Sequence, residues 1–290
     1  MADVYQIVTD RIISQLEAGV VPWQRPWITA GGDRGAYSFV TRKPYSLLNQ
    51  MLLSIHGPGP YASLNQWNQK GCRVKPGEKG NLIVFWKWPD EQEDPDDKET
   101  PEPKKTKPVL RYYHVFHHTQ VSGLSEKALF GEKLGSDDIP FSLSEAEDLL
   151  RRYVNREKIH LDIGINDRAF YSPTTDHIVL PSPKQFQNPE EFFATAFHEL
   201  AHSTGAENRL NRMGFSRSSF GNESYSKEEL IAEISSMQIM HTLGVGTEDV
   251  FDNSVSYISG WLKALKGDKR LIVLASGQAE KAIRFIMTTP

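Results

Sequence analysis

The segment from Asn188 to Gly205 constrains this 290-residue chain more than any other, because every signal in it asks for one helix. Asn188 is an N-cap candidate, Pro189 suits the first turn, and Glu190 and Glu191 complement the positive end of the helix dipole. Phe192, Phe193, Ala196, Phe197 and Leu200 recur with helical spacing as an apolar face, and Gly205 offers a stop. The spacing predicts a helix over 189–204. On it His198 and His202 stand four residues apart, so both imidazoles project from one side. Two nitrogens so placed can reach one ion at about 2.0–2.1 Å. Glu199, a third of a turn away, can address a water on that ion without ligating it. The plain alternative is a helix that carries two histidines and a glutamate by chance. The apolar face, the capped start and the small Ala201, Ser203 and Gly205 favour a metal site with Glu199 as its catalytic base.

Two histidines leave such a site one ligand short. No third histidine follows on the same segment, since position 208 is Asn208. Cys72 is the single cysteine, which excludes an internal disulfide and a cysteine-based metal site. The run from Tyr225 to Glu233 predicts a second helix, spanning about 226–243, with Glu229 and Glu233 one turn apart on one face. In the arrangement used by glutamate zincins the first acid is a ligand and the second orients a ligating histidine, here Glu229 and Glu233. Two other readings stay open. Ser226 and Glu229 also form the pattern of a capping box, and Glu233 or another residue can be the third ligand. Glu228 is expected too far round the helix to share that face. Zinc is the expected ion, with manganese as the alternative.

The rest of the chain divides by composition. An amphipathic helix is expected over 3–18. Residues 20–88 are dense in aromatics punctuated by Pro and Gly, and hold five of the six tryptophans. A buried strand is expected at Asn81–Trp86, pairing with Leu110–Val115 around an acidic, mobile loop at 89–108. The loop has a second reading, as an acidic mimic of DNA. A linker at 124–139, a helix from Ser142 to Arg156, and a strand pair between Ala169 and Leu180 turning at 174–176 follow. Helices are expected again at 189–204, 226–243, 254–265 and 271–287. The fold class is thus α+β: a mixed α/β domain at 1–125 followed by a helix-rich domain at 126–290. Neither a leader pattern at Met1–Tyr5 nor an apolar run long enough for a membrane helix is present, so a cytoplasmic protein with no membrane partner is expected.

With those motifs on the page, the chain resembles the ArdC-type antirestriction proteins carried by conjugative plasmids. The likeness rests on Pro22-Trp23 with Pro26-Trp27, Arg42-Lys43-Pro44-Tyr45, Gln66-Trp67, and Gly71 with Val74-Lys75-Pro76-Gly77-Glu78-Lys79-Gly80. It continues through Tyr171-Ser172-Pro173, His198–Gly205, Glu228–Glu233 and Tyr257–Leu262. Ser46 departs from it, where related sequences often have glycine, and the acidic insertion is not a general feature. The resemblance implies an N-terminal domain that binds single-stranded DNA, a C-terminal zincin-like metallopeptidase domain, and protection of incoming DNA from restriction.

Charge agrees in part. The whole chain carries −4, but residues 1–88 hold ten Lys and Arg against five Asp and Glu, a balance of +5. Cations among aromatics suit single strands, where rings stack on bases at about 1–3 kcal/mol each. About half of these rings are expected in the core, Phe85 and Trp86 above all. Trp23, Trp27, Tyr45, Trp67, Arg42, Lys43, Lys75 and Lys79 lie beside turn residues and are the expected DNA contacts. A restriction-enzyme subunit is a second expected partner. Two rival readings remain: a protease that removes proteins crosslinked to DNA, and a non-catalytic shield with a structural metal.

Overall fold

The computed structural model describes residues 3–24, 35–87, 108–124, 143–212, 223–245 and 255–288. The expected acidic loop, all but Pro108, and nearly all of the expected linker lie outside these residues.

The first helix, α1, runs Val4–Glu17 and starts where the Asp3 carboxylate accepts the Tyr5 backbone N–H. Its face of Val8, Ile12, Ile13 and Leu16 is buried. After β1 (Ala36–Ser38), α2 (Leu47–Leu53) is buried at all seven positions, and β2 (Gly59–Ala62) follows. Next come α3 (Leu64–Gln69), held at its start by a Ser63–Gln66 capping box, and the short β3 (Arg73–Val74). The hairpin expected from sequence is present: β4 (Asn81–Lys87) and β5 (Val109–His117) pair antiparallel from Asn81↔Val115 to Lys87↔Val109. These strands form a sheet of order β1-β2-β5-β4, with β1 and β2 parallel. A short ribbon pairs β3 with β6 (Val121–Ser122).

The second half opens with α4 (Leu143–Glu157). A three-stranded sheet follows, order β7-β9-β8, from β7 (His160–Gly164), β8 (Phe170–Ser172) and β9 (His177–Pro181). The expected pair is β8 and β9, turning through Asp176 at φ 48. Strand β7, parallel to β9, was not foreseen. Four helices complete the order: α5 (Pro189–Ser203) and α6 (Glu223–Thr242), then α7 (Val255–Gly267) and α8 (Leu271–Met287). The architecture is α+β, as expected. Among the described residues no helix is long and apolar enough to cross a membrane.

Two large apolar clusters hold the chain together, and the expected boundary near 125 does not separate them. The first joins Val8, Ile12, Leu16 and Trp23 from one side of that boundary to Leu230, Ile231, Ile234, Leu265 and Ile272 from the other. The second packs α4, β9, α5 and α8 around Phe193, Phe197 and Leu200. Helix α6 feeds both: Leu230 and Ile234 enter the first cluster, Ala232 and Met240 the second.

Candidate metal centre

Helix α5 is built as its sequence requires. Asn188 accepts the Glu191 N–H at 2.8 Å, Pro189 opens the first turn, and Phe192, Phe193, Ala196, Phe197 and Leu200 are buried against α4, β9 and α6. Burying each large side chain contributes about 1.5–3 kcal/mol, so the helix is held rigidly against the sheet. That packing leaves His198 and His202 on the remaining face, with their Nε2 atoms 3.0 Å apart.

Glu229 of α6 closes the triangle. Its Oε2 is 3.5 Å from His198 Nε2 and its Oε1 is 3.4 Å from His202 Nε2. Three ligands at about 2.0–2.1 Å in tetrahedral directions would stand about 3.3 Å apart, so the spacings observed fit a single divalent ion. The capping-box reading of Glu229 does not apply, because α6 begins at Glu223 and Ser226 already lies inside the helix. Burial opposes charge on Glu229, but hydrogen bonds from His198 and His202 outweigh it and hold the carboxyl far below the usual range. Burial likewise opposes charge on His202, yet Glu228 and Glu229 push its pKa up to about 10.

Glu199 is buried beside the histidines, and that burial raises its pKa against the pull of His202 and His198. This is the position of a proton carrier next to the ligands. Strand β8 packs against α5 on this side of the site.

The acid behind the site is not the one expected. Glu228 Oε1 lies 3.7 Å from His202 Nδ1, the nitrogen turned away from the ligand triangle. Arg212 holds Glu228 with two contacts, at 2.8 and 3.3 Å, and also donates to Thr204 Oγ1 and the Ala201 carbonyl. Glu233, expected in that role, sits one turn further along α6 in the shared core, where it accepts the Trp23 indole N–H at 3.4 Å. Burial pushes its pKa up to about 8. Both nitrogens of His202 need partners, on opposite sides of the ring, so adjacent acids on α6 serve it better than acids one turn apart. The Glu228-Glu229 doublet was the available signal.

The expected DNA contacts divide. Trp23 and Trp67 have no exposed surface: Trp23 packs edge-on to Trp261, and Trp67 lies on Phe39 and donates to the Phe116 carbonyl. Neither can offer a face to a base. Trp27 lies outside the described residues. Tyr45 is half-buried against Tyr61. Arg42, Lys43, Lys75 and Lys79 are exposed, with Arg42 over the Phe39 ring and Lys75 donating to the Thr119 carbonyl. Phe85 and Trp86, expected in the core, are instead exposed by 41% and 47%. Tyr112 and Tyr113 across the hairpin are equally open. By register Phe85 and Tyr113 share one face of the β4–β5 pair, and Trp86 and Tyr112 the other. A cavity of about 380 Å³ opens beside them, lined by Tyr45, Asn49, Phe85, Trp86, Ser276 and Glu280, away from the histidines.

Comparison with known proteins places both halves. Residues 2–116 match the N-terminal domain of anti-restriction factor ArdC, and residues 148–278 match a zincin-like metallopeptidase family. An Escherichia coli DNA primase, TraC, is 32% identical over 299 residues, covering 98% of this chain; the chain spans only 20% of TraC's length. The Sinorhizobium fredii protein y4eC is 31% identical over 96% of this chain and 90% of its own. The crystal structure of metal-free ArdC from plasmid R388 superposes with a TM-score of 0.72 at 32% identity, covering 98% of this chain and 97% of ArdC. A Mn(II)-bound structure of the same protein gives 0.69. In sequence and in fold, across both halves, the chain belongs to the ArdC-type antirestriction family.

Proposed function

We propose that this protein protects incoming plasmid DNA from restriction by binding it as a single strand and acting on a protein partner through a metal-dependent peptidase centre. The observation that carries the catalytic part is the convergence of His198, His202 and Glu229 with Glu199 buried next to them and outside the ligand set. A purely structural site has no use for that fourth group.

A divalent ion held by His198, His202 and Glu229 would supply Lewis-acid polarisation of a scissile carbonyl. Zinc suits the set, and manganese is the ion in the related ArdC structure. The chain's own groups do the rest. Glu199, with its raised pKa, takes a proton from the attacking water and returns it to the leaving amine. Glu228, clamped by Arg212, holds His202 in one tautomer and orientation. Strand β8 borders this centre at the edge of its sheet, where an extended peptide can add as a further strand.

Single-strand binding is assigned to the exposed rings of the hairpin, Phe85, Trp86, Tyr112 and Tyr113, with Lys87 and Arg111 on the same strands and Lys43 nearby. The protein partner is proposed to be a restriction-enzyme subunit in the cytoplasm. The experiment is transfer of unmodified plasmid DNA into restricting cells that carry wild type or Glu199→Gln. Wild type protects and Glu199→Gln does not. Full protection by Glu199→Gln would replace the peptidase with a DNA shield. Protection by neither removes the antirestriction reading.

A further inference from the structure

We infer that the outer face of the β7-β9-β8 sheet carries a second transition-metal site, made by His160, Asp162 and His177. The parallel register sets His160 directly opposite His177, and Asp162 follows two residues along β7 on the same face. Ile178 and Leu180 of β9 point the other way into the core, so the three ligating side chains stand together on the solvent side. His177 Nε2 lies 3.1 Å from Asp162 Oδ2, and His160 Nε2 lies 3.7 Å from Asp162 Oδ1. The two imidazole rings are 4.5 Å apart between centroids. One carboxylate thus meets two imidazoles, one at each oxygen, and the three residues can each present one donor atom to a common point.

An ordinary cross-strand pair between His177 and Asp162 accounts for the shorter contact alone. It gives no reason for His160 to turn its Nε2 to the other oxygen of the same carboxylate while about two-thirds exposed, with free rotamers in water. Two imidazoles and one carboxylate are the donor set of the first centre too, and they favour zinc, cobalt, nickel or copper over magnesium and calcium. The remaining positions face solvent, so water completes the coordination.

The consequence is mechanical. An ion here ties β7 to β9 beside the Ser172↔His177 pair of β8. Strand β8 packs in turn on α5, the helix that carries Glu199. Asp176, next to His177, is gripped by Arg209, which also binds Glu157 and the Ser203 carbonyl at the end of α5. The second ion would therefore brace the sheet that supports the catalytic glutamate, from the face opposite it.

The test uses untagged full-length protein stripped with a chelator and titrated with Zn(II) by calorimetry and with Co(II) by absorption. Wild type is expected to bind two equivalents, one tight and one weaker. His160→Gln with His177→Asn should lose the weaker and keep the tight one, and His202→Ala should do the reverse. His160→Gln alone, at an exposed position, should weaken the second equivalent by at least about tenfold without changing the melting temperature of the stripped protein. Retention by the His160/His177 double variant of every equivalent that wild type binds, whether one or two, overturns the site. Loss of the tight equivalent in wild type would count against the first centre and leave this one standing.

Discussion

The indole N–H of Trp23 reaches the carboxylate of Glu233 across 210 positions of sequence, at 3.4 Å, with Tyr257 Oη at 3.3 Å from the same nitrogen. Glu233 is one turn along α6 from Glu229, the proposed third ligand. The N-terminal aromatic region is therefore anchored on the helix that completes the metal centre, and Trp23 is a structural residue.

Trp23→Ala should destabilise the protein by about 3–5 kcal/mol through cavity formation. Trp23→Phe should cost about 1–3 kcal/mol by leaving Glu233 without its donor. Denaturant titration of the full chain measures both, and single-strand affinity under folding conditions should be unchanged. Fragment 1–125 exposes the apolar face of α1 and α2, so it should show no cooperative unfolding. A cooperative transition in that fragment would sink the shared-core account.

Metal content separates the acids of α6. Glu229→Gln should lower affinity by at least about tenfold as a lost ligand, and Glu228→Gln by about 10–100-fold through the loosened His202 ring. Glu199→Gln should leave it intact. Mass spectrometry and competitive chelation give these values. Equal affinity in Glu228→Gln and wild type would deny Glu228 its role.

Two buried histidines should make the fold sensitive to acid. Burial depresses the pKa of both His117 and His241 to about 4, from 6.5. The folded chain keeps both neutral while the unfolded chain protonates them, so stability is lost as pH falls from 6.5 towards 4. Each contributes a slope of up to about 1.4 kcal/mol per pH unit. Buried Glu233, with its pKa raised to about 8, works in the opposite direction, so the measurement is a difference: between pH 7 and pH 5, urea unfolding should show His241→Gln losing less stability than wild type. An equal change in the two proteins contradicts the burial argument.

Single-strand binding should follow the hairpin. Phe85→Ala, Trp86→Ala or Tyr113→Ala should each weaken it by about 1–3 kcal/mol, whatever the base sequence. Lys87→Ala and Arg111→Ala should shallow its salt dependence. Fluorescence anisotropy at two salt concentrations reads both. No effect from any of the five moves the DNA site elsewhere.

Helix α5 was legible because its signals are local: cap, dipole, apolar period and histidine spacing all sit within 18 residues. The β4–β5 pair was legible for the same reason, as two matched runs. Exposure of the aromatics was not. Turn residues beside Trp23 and Trp67 say nothing of α7, or of β5, which cover them from far along the chain. Strand β7 escaped although His160-Leu161-Asp162-Ile163 alternates polar with apolar, because the run is only five residues long and follows closely on α4. Glu228 escaped because only the structure shows that His202 is gripped from both sides of its ring.

Helix α6, wrapped by both apolar clusters, also bears on how such a protein can be inherited. A chain whose two halves meet in one core cannot be split at residue 125 and shuffled as separate modules, since either piece would arrive with an open wound of apolar surface. The likeness to TraC, which runs through 98% of this chain yet occupies a fifth of TraC, is what that constraint predicts.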